Sequence, residues 1–333
     1  MKVLLTGGDT LIGAHLARVL IDSGFSVRVL LPEREIPKTL RGLDIEYTNG
    51  TVLSPEYTLD ALRGVNRVFH ISTLTIDPRA QQRTRAINIE GTRNILIGMA
   101  RQGIPELVYI SSAFCFEPGS KEEPGSEDSP PASTLGLASL DGARKALETV
   151  KRFQMEGSLR IITLAPTLTL GRFDALHSAG VALILHAANG KRYPPGGINI
   201  VGAQEVARAA LSALGRGKPG ETYIIAGANV KYSELYAEVR EMLGVKGAIK
   251  QLSGVSLALG GIFGSLLGSV FPRGVRLTRH AAALAMRDLF YTGEKARNEL
   301  SIEPRPYTEV LKETISWLKE ECPEILPRAS AKD

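Results

Sequence analysis

MKVLLTGGDTLIGAHL, Met1–Leu16, decides the fold. Met1–Leu5 is a short apolar run suited to a buried strand, Thr6-Gly7-Gly8-Asp9-Thr10 reads as a turn, and Leu11 onward reads as a helix. A strand that passes through a glycine-rich turn into a helix aims backbone N–H groups and the positive end of the helix dipole at one spot. An anion can sit there, typically a dinucleotide pyrophosphate. Gly7 permits the tight turn, and Gly13 lets the helix pack closely on the strand. Thr10 stands where a middle glycine is usual.

Working outward, the first half of the chain alternates strand and helix patterns. A helix around Leu11–Ser23 leads to strand Val27–Leu31, and short strand Ile45–Thr48 to helix Ser54–Leu62. Strand Arg67–Ile71 is followed by helix Ala86–Gln102, strand Leu107–Ile110, helix Ala138–Phe153 and strand Arg160–Ala165. Such alternation implies an α/β fold with a parallel sheet covered on both faces, and right-handed crossovers make it doubly wound. The reading places a dinucleotide-binding domain over 1–170, with later strands from 198–228. A smaller, mainly helical substrate lobe covers 171–197 and 229–325, and Thr222–Ile225 is expected as a late strand. The acidic Pro/Gly/Ser stretch Glu117–Pro131 reads as a surface loop.

At 333 residues the chain can bury a large core, and 44% hydrophobic with 23% charged residues is the balance of a soluble enzyme. The net charge of +5 is spread along the chain, which argues against nucleic acid as a partner. Cys115 and Cys322 are too few and too far apart for a disulfide framework or a metal site, so a reducing compartment and no metal are expected. The first residues are used in a strand and show no secretion leader, so a cytoplasmic protein is expected. Leu252–Phe271 carries no charge and is nearly long enough to cross a bilayer, with Gly260, Gly264 and Gly268 four apart. Its glycine and serine content and its soluble flanks favour a buried or pocket-lining helix. Peripheral membrane contact is the intermediate reading.

Several further stretches, in order, resemble one family, the extended short-chain dehydrogenase/reductases or NAD-dependent epimerase/dehydratases. RVFHIST resembles the family's fourth strand. AINIEGTRNILIGMARQGIPELVYISS, with Asn88, Gly91, Thr92 and Asn94, is similar to the helix and strand before the active site. RKALE, LAPTLTLGR, Ala203–Ala207 and YTGEKARNEL match later segments. The nearest branch resembles dihydroflavonol-reductase-like enzymes and hopanoid-associated sugar epimerases. The resemblance implies a nicotinamide dinucleotide, NADP or NAD, held by Gly7, Thr10, Leu11, Ile12, Gly13, Arg34, Thr51, Ser72, Ser111, Lys145 and Pro166. It also implies a small-molecule substrate and a homodimer formed through the two long helices flanking the site.

The departures are as informative. The family uses a Ser or Thr, a Tyr, and a Lys four residues after the Tyr. Ser112 and Lys145 match the first and last, but Asp141 stands at the tyrosine position and no tyrosine lies between Tyr109 and Tyr193. Proton exchange needs a group with a pKa near the working pH. Asp141 lies one helical turn before Lys145, so a nearby cation favours its ionised form, whereas burial would push the other way. The readings are a solvated helix pair, a residue that holds Lys145 or a substrate hydroxyl, and a true acid/base. Thr51 replaces an Asp common near the adenine, and Ser72-Thr73 replaces an Ala-Ala. Glu33 would repel a ribose phosphate and Arg34 would attract it, a slight lean to NADP. His70 is read as structural, while His177 and His186 are alternative acids in the lobe.

Two functions follow. One is an NAD(P)-dependent reductase or epimerase-like enzyme acting on a secondary alcohol or ketone, with catalytic Ser112, Asp141 and Lys145. The apolar Leu252–Phe271 would suit an apolar substrate. The other is a non-catalytic dinucleotide-binding sensor, scaffold or assembly protein, because function resides in the site and not in the fold.

Overall fold

The computed structural model describes residues 1–32, 36–75, 77, 79–133, 136–157, 159–252 and 286–327. Leu252–Phe271 and Arg34 were singled out in the sequence; all of that stretch but Leu252, and Arg34 itself, lie outside the described residues.

The chain runs β1 (Lys2–Thr6), α1 (Leu11–Asp22), β2 (Ser26–Leu31), β3 (Ile45–Asn49), α2 (Pro55–Leu62) and β4 (Arg67–Ile71). Then come α3 (Gln81–Ala86), a π-helical turn over Ile87–Gly91, α4 (Thr92–Gln102), β5 (Glu106–Ile110), α5 (Ala138–Met155) and β6 (Arg160–Pro166). The second half holds β7 (Leu168–Leu170), α6 (Ala179–Asn189), β8 (Arg192–Tyr193), β9 (Gly197–Gly202), α7 (Ala203–Arg216), β10 (Thr222–Ile225), β11 (Ala228–Lys231) and α8 (Tyr232–Leu243). It closes with β12 (Lys250–Gln251), β13 (Asp288–Leu289), α9 (Glu294–Leu300) and α10 (Tyr307–Glu321).

Seven strands form one sheet in the order β10-β6-β5-β4-β1-β2-β3, every neighbour parallel. Because parallel strands are buried on both faces, successive residues serve two cores. Val108 and Ile110 of β5 join α1, α7 and α9 on one face. Leu107 and Tyr109 join α2, α4 and α5 on the other. Each fully buried leucine in these layers contributes about 1.5–3 kcal/mol through loss of water contact.

The strand order turns back at β1. The chain moves outward through β2 and β3, then returns to lay β4 on the other side of β1. A crevice opens outside the carboxyl ends of strands at such a reversal. The helices that lead into β5 and β6 start from that same edge, so α3 and the first turn of α5 lie beside it.

The later half departs from the sequence reading in two places. Of the strands expected over 198–228, only β10 joins the large sheet; β9 pairs instead with β7, β11 and β13 in a second sheet. The lobe is mainly helical, as expected, with α6, α8 and α10 packed on this small sheet around a core that includes Ile200, Tyr236 and Trp317. Buried Asn199 stitches the two sheets, donating to Asn229 Oδ1 at 2.7 Å and accepting from Thr167 Oγ1 at 2.7 Å and Gly227 N at 2.9 Å. Strand periodicity cannot assign a strand to one sheet or another, since both sheets bury both faces. The acidic stretch 117–131 is more than a surface loop. Gly119 and Gly125 each donate to the Phe290 carbonyl at 3.0 Å, and Glu127 accepts from Ile224 N at 2.6 Å. Among the described residues, no helix is long and apolar enough to cross a membrane.

Candidate active site

The turn after β1 is built as its glycines require. Gly7 has φ +71°, the left-handed region that disfavours a side chain. A Cβ on Gly13 would sit 2.1 Å from the Gly7 carbonyl oxygen and 2.6 Å from Gly8 Cα, so α1 can begin this close to the strand only with glycine there. Thr10 is the N-cap of α1. Its Oγ1 accepts from Gly13 N at 3.1 Å and donates to the Gly7 carbonyl at 2.7 Å. A cap of this type is worth about 1 kcal/mol. The threonine that displaces the usual glycine therefore ties the turn together from inside. The first-turn amides of Leu11 and Ile12 have no intrahelical partner, as at any helix start.

The neighbouring strand ends supply hydroxyls. Ser72 follows β4; its N–H donates to the Ile110 carbonyl at 2.8 Å and its buried hydroxyl faces that of Tyr109. A cradle that a Cβ on Gly13 would fill, opening onto the free amides of a helix start, is what a dinucleotide pyrophosphate needs, so the residues fit such a group. Ser111 and Ser112 follow β5; Ser111 N donates to the Leu164 carbonyl at 2.7 Å. Ser112 Oγ accepts from Phe114 N at 3.2 Å, which leaves its own proton available. Pro166 ends β6 and is buried opposite Ile225. Thr51 follows β3, where its Oγ1 accepts from Leu53 N at 3.3 Å.

Asp141 and Lys145 lie on the first turns of α5, as their spacing implied. The Lys145 ammonium is 3.2 Å from Asp141 Oδ2. A third member was not foreseen: Arg85 of α3 donates from Nε to the same oxygen at 2.9 Å. Nothing local in the sequence links Arg85 to Asp141, since they lie 56 residues apart and meet only when α3 packs on α5. Burial by itself pushes the Asp141 carboxyl up, but the Arg85 and Lys145 hydrogen bonds and charges outweigh it and hold the carboxyl below its usual range. All three side chains keep contact with solvent, Arg85 at 36%, Asp141 at 25% and Lys145 at 46% exposed.

Asn88, noted in the sequence only as part of a motif, sits in the π-helical turn and is fully buried. Its side chain donates to the Thr73 carbonyl at 2.8 Å and the Ser139 carbonyl at 3.3 Å, and accepts from Thr73 N at 3.1 Å. It thus joins the end of β4 to the start of α5. Inserted π turns are frequent at functional sites for this reason: they re-aim one side chain.

The histidines separate. His70 is buried on β4, with Nδ1 2.6 Å from Thr6 Oγ1 and Nε2 2.9 Å from Thr92 Oγ1. Burial lowers its pKa to about 4, so it is neutral at physiological pH. His186 does not face the crevice. Its Nδ1 is 2.6 Å from the Tyr236 hydroxyl, inside the lobe, and burial lowers its pKa. His177 lies in the loop before α6 with φ +48°. Among the described residues, no group of His, Cys, Asp and Glu side chains could hold a metal.

The sequence pattern of the NAD dependent epimerase/dehydratase family matches residues 3–226. The chain is 25% identical to sterol demethylase protein B of Methylococcus capsulatus, covering 96% of this chain and 99% of that protein. It is 22% identical to a Synechocystis protein provisionally named a dihydroflavonol 4-reductase, covering 95% and 94%. The crystal structure of gox2253 superposes with a TM-score of 0.82 at 28% identity, covering 96% of this chain and 98% of that one. With its all-parallel sheet, its glycine turn after β1 and a matched pattern that spans the crevice, the chain belongs to the NAD dependent epimerase/dehydratase family.

Proposed function

We propose that this protein binds a nicotinamide dinucleotide across the carboxyl edge of the large sheet and interconverts a secondary alcohol and a ketone. One observation carries the reading: the glycine cradle after β1, Ser112 after β5 and Lys145 on α5 all lie at one sheet edge. When bound, the dinucleotide supplies or accepts hydride at its nicotinamide ring. Lys145 binds a ribose hydroxyl, and Ser112 donates its free proton as a hydrogen bond to the substrate oxygen. Asp141, held ionised, accepts hydrogen bonds but does not deliver a proton.

The substrate is apolar rather than a nucleotide sugar. The similarity to a protein named for sterol chemistry supports this, as does the uncharged stretch Leu252–Phe271. The dinucleotide is NADP or NAD, with Arg34 the reason for preferring NADP. Two copies pair through the outer faces of α4 and α5. The test is NADPH and NADH oxidation over a panel of steroid, terpenoid and flavonoid ketones beside nucleotide sugars. Lys145→Ala should weaken dinucleotide binding about tenfold or more; full activity in that variant refutes the assigned role.

The ionised Asp141 favours a second reading, a dinucleotide-binding protein without turnover. Thermal stabilisation by NADPH or NADH, with no oxidation over the whole panel, would establish it.

A further inference from the structure

We propose that Arg85 is the group that receives the substrate oxygen, taking over the electrostatic part of the role for which the family uses a tyrosine. The inference rests on the hydride reading above. A carbonyl that accepts hydride develops negative charge on its oxygen, and the site must place a donor or a cation there. Asp141 alone at that place would oppose the charge. Its Oδ2, however, lies between Arg85 Nε at 2.9 Å and Lys145 Nζ at 3.2 Å, so two cations share one carboxylate and the cluster carries one positive charge in excess. The remaining guanidinium nitrogens of Arg85 have no partner among the described residues, and its side chain stays 36% exposed.

Arg85 is held there by construction. A Cβ on Gly142 would lie 2.8 Å from Arg85 Cα and 3.0 Å from its carbonyl oxygen, so α3 and α5 can touch at this level only because residue 142 is glycine. Gln81 of the same helix accepts from Ser139 N at 2.8 Å and fixes the other end of the contact. Asp141 then orients the guanidinium plane through Nε, and the Nη groups are left for a ligand. A guanidinium stays charged at any working pH and loses no proton, so it stabilises an oxyanion without acting as an acid.

The step balances as follows. The carbonyl carbon forms a C–H bond with a hydride from a reduced nicotinamide dinucleotide, and the π electron pair moves onto oxygen. That oxygen is held by Arg85 and Ser112, and it takes its proton from water.

The test has two arms. In the first, 4-nitrophenol is titrated into the full chain with NADP⁺ present, and its yellow absorbance reports ionisation at fixed pH. Beside a cation the phenol ionises more readily, by about tenfold. Wild type and Arg85→Lys should show this, and Arg85→Gln should not. Equal ionisation in wild type and Arg85→Gln overturns the proposal. In the second arm, Arg85→Gln should lower kcat for a reducible ketone about 100-fold. The KM for the dinucleotide should be unchanged, and Arg85→Lys should recover most of the rate. Loss of turnover in Asp141→Asn with Arg85→Gln unaffected overturns the proposal and makes Asp141 the acid. The phenol signal without ketone turnover sustains the oxyanion site and removes the hydride reading; turnover without the signal does the reverse.

Discussion

Arg85 Nε and Lys145 Nζ both reach Asp141 Oδ2, but only Arg85 comes from another helix, and its 2.9 Å bond to Asp141 fixes α3 against α5. The contact depends on a residue that makes no hydrogen bond in it. Gly142 leaves the space through which Arg85 approaches.

Gly142→Ala should therefore push the two helices apart. The new methyl meets backbone at 2.8 Å, and a backbone atom cannot rotate away. Overpacking of this kind costs about 1–3 kcal/mol. Denaturant unfolding should show that loss, and the Asp141 carboxyl, deprived of Arg85, should titrate higher than in wild type by carbon-13 NMR.

The turn after β1 separates two kinds of dependence. Gly13→Ala places a methyl 2.1 Å from the Gly7 carbonyl and should abolish NADPH and NADH binding, with stability falling as well. Thr10→Ala removes only the cap on Gly13 N, and should cost about 1 kcal/mol while dinucleotide binding survives. Thermal shift with and without each dinucleotide reads both effects.

His70 makes the fold sensitive to acid. Its pKa is lowered to about 4 in the folded chain by burial, and the unfolded chain binds the proton near the ordinary histidine value of 6.5. Between those values the unfolded state holds more protons, so stability falls as the pH falls, by at most about 1.4 kcal/mol per pH unit from this group. His70→Asn cannot take up a proton, and its unfolding midpoint should drop less than that of wild type between pH 7 and pH 5.

Asp141 acts in the same direction as His70 but in a lower pH window. A carboxyl held below its usual range contributes stability at neutral pH, lost only as the pH falls through its lowered value. Between pH 5 and pH 9 it stays ionised, so a pH profile of hydride transfer over that range should carry no limb from Asp141, and Asp141→Asn should leave its shape unchanged.

Much of this was readable in the residues. The strands Arg67–Ile71 and Thr222–Ile225 were placed at their observed bounds, because short apolar runs between turn signals leave little choice. The glycine turn was readable for a related reason: Gly7 and Gly13 meet constraints within a dozen residues of chain, and local sterics decide them. The Asp141–Lys145 pair is one helical turn and needs only helix geometry.

What lay beyond the sequence depends on contacts between distant segments. That β9 leaves the large sheet for a second one follows from which edges are free after the chain has folded back, and no local pattern encodes that. Thr10 could be seen as a departure, but its use as a bridge between Gly7 and Gly13 depends on the angle at which α1 leaves the turn. Arg85 looks like one of two basic residues on a short helix. It becomes part of the site only because α3 and α5 start from the same sheet edge, where Gly142 lets them meet and a carboxylate binds the guanidinium that reaches it.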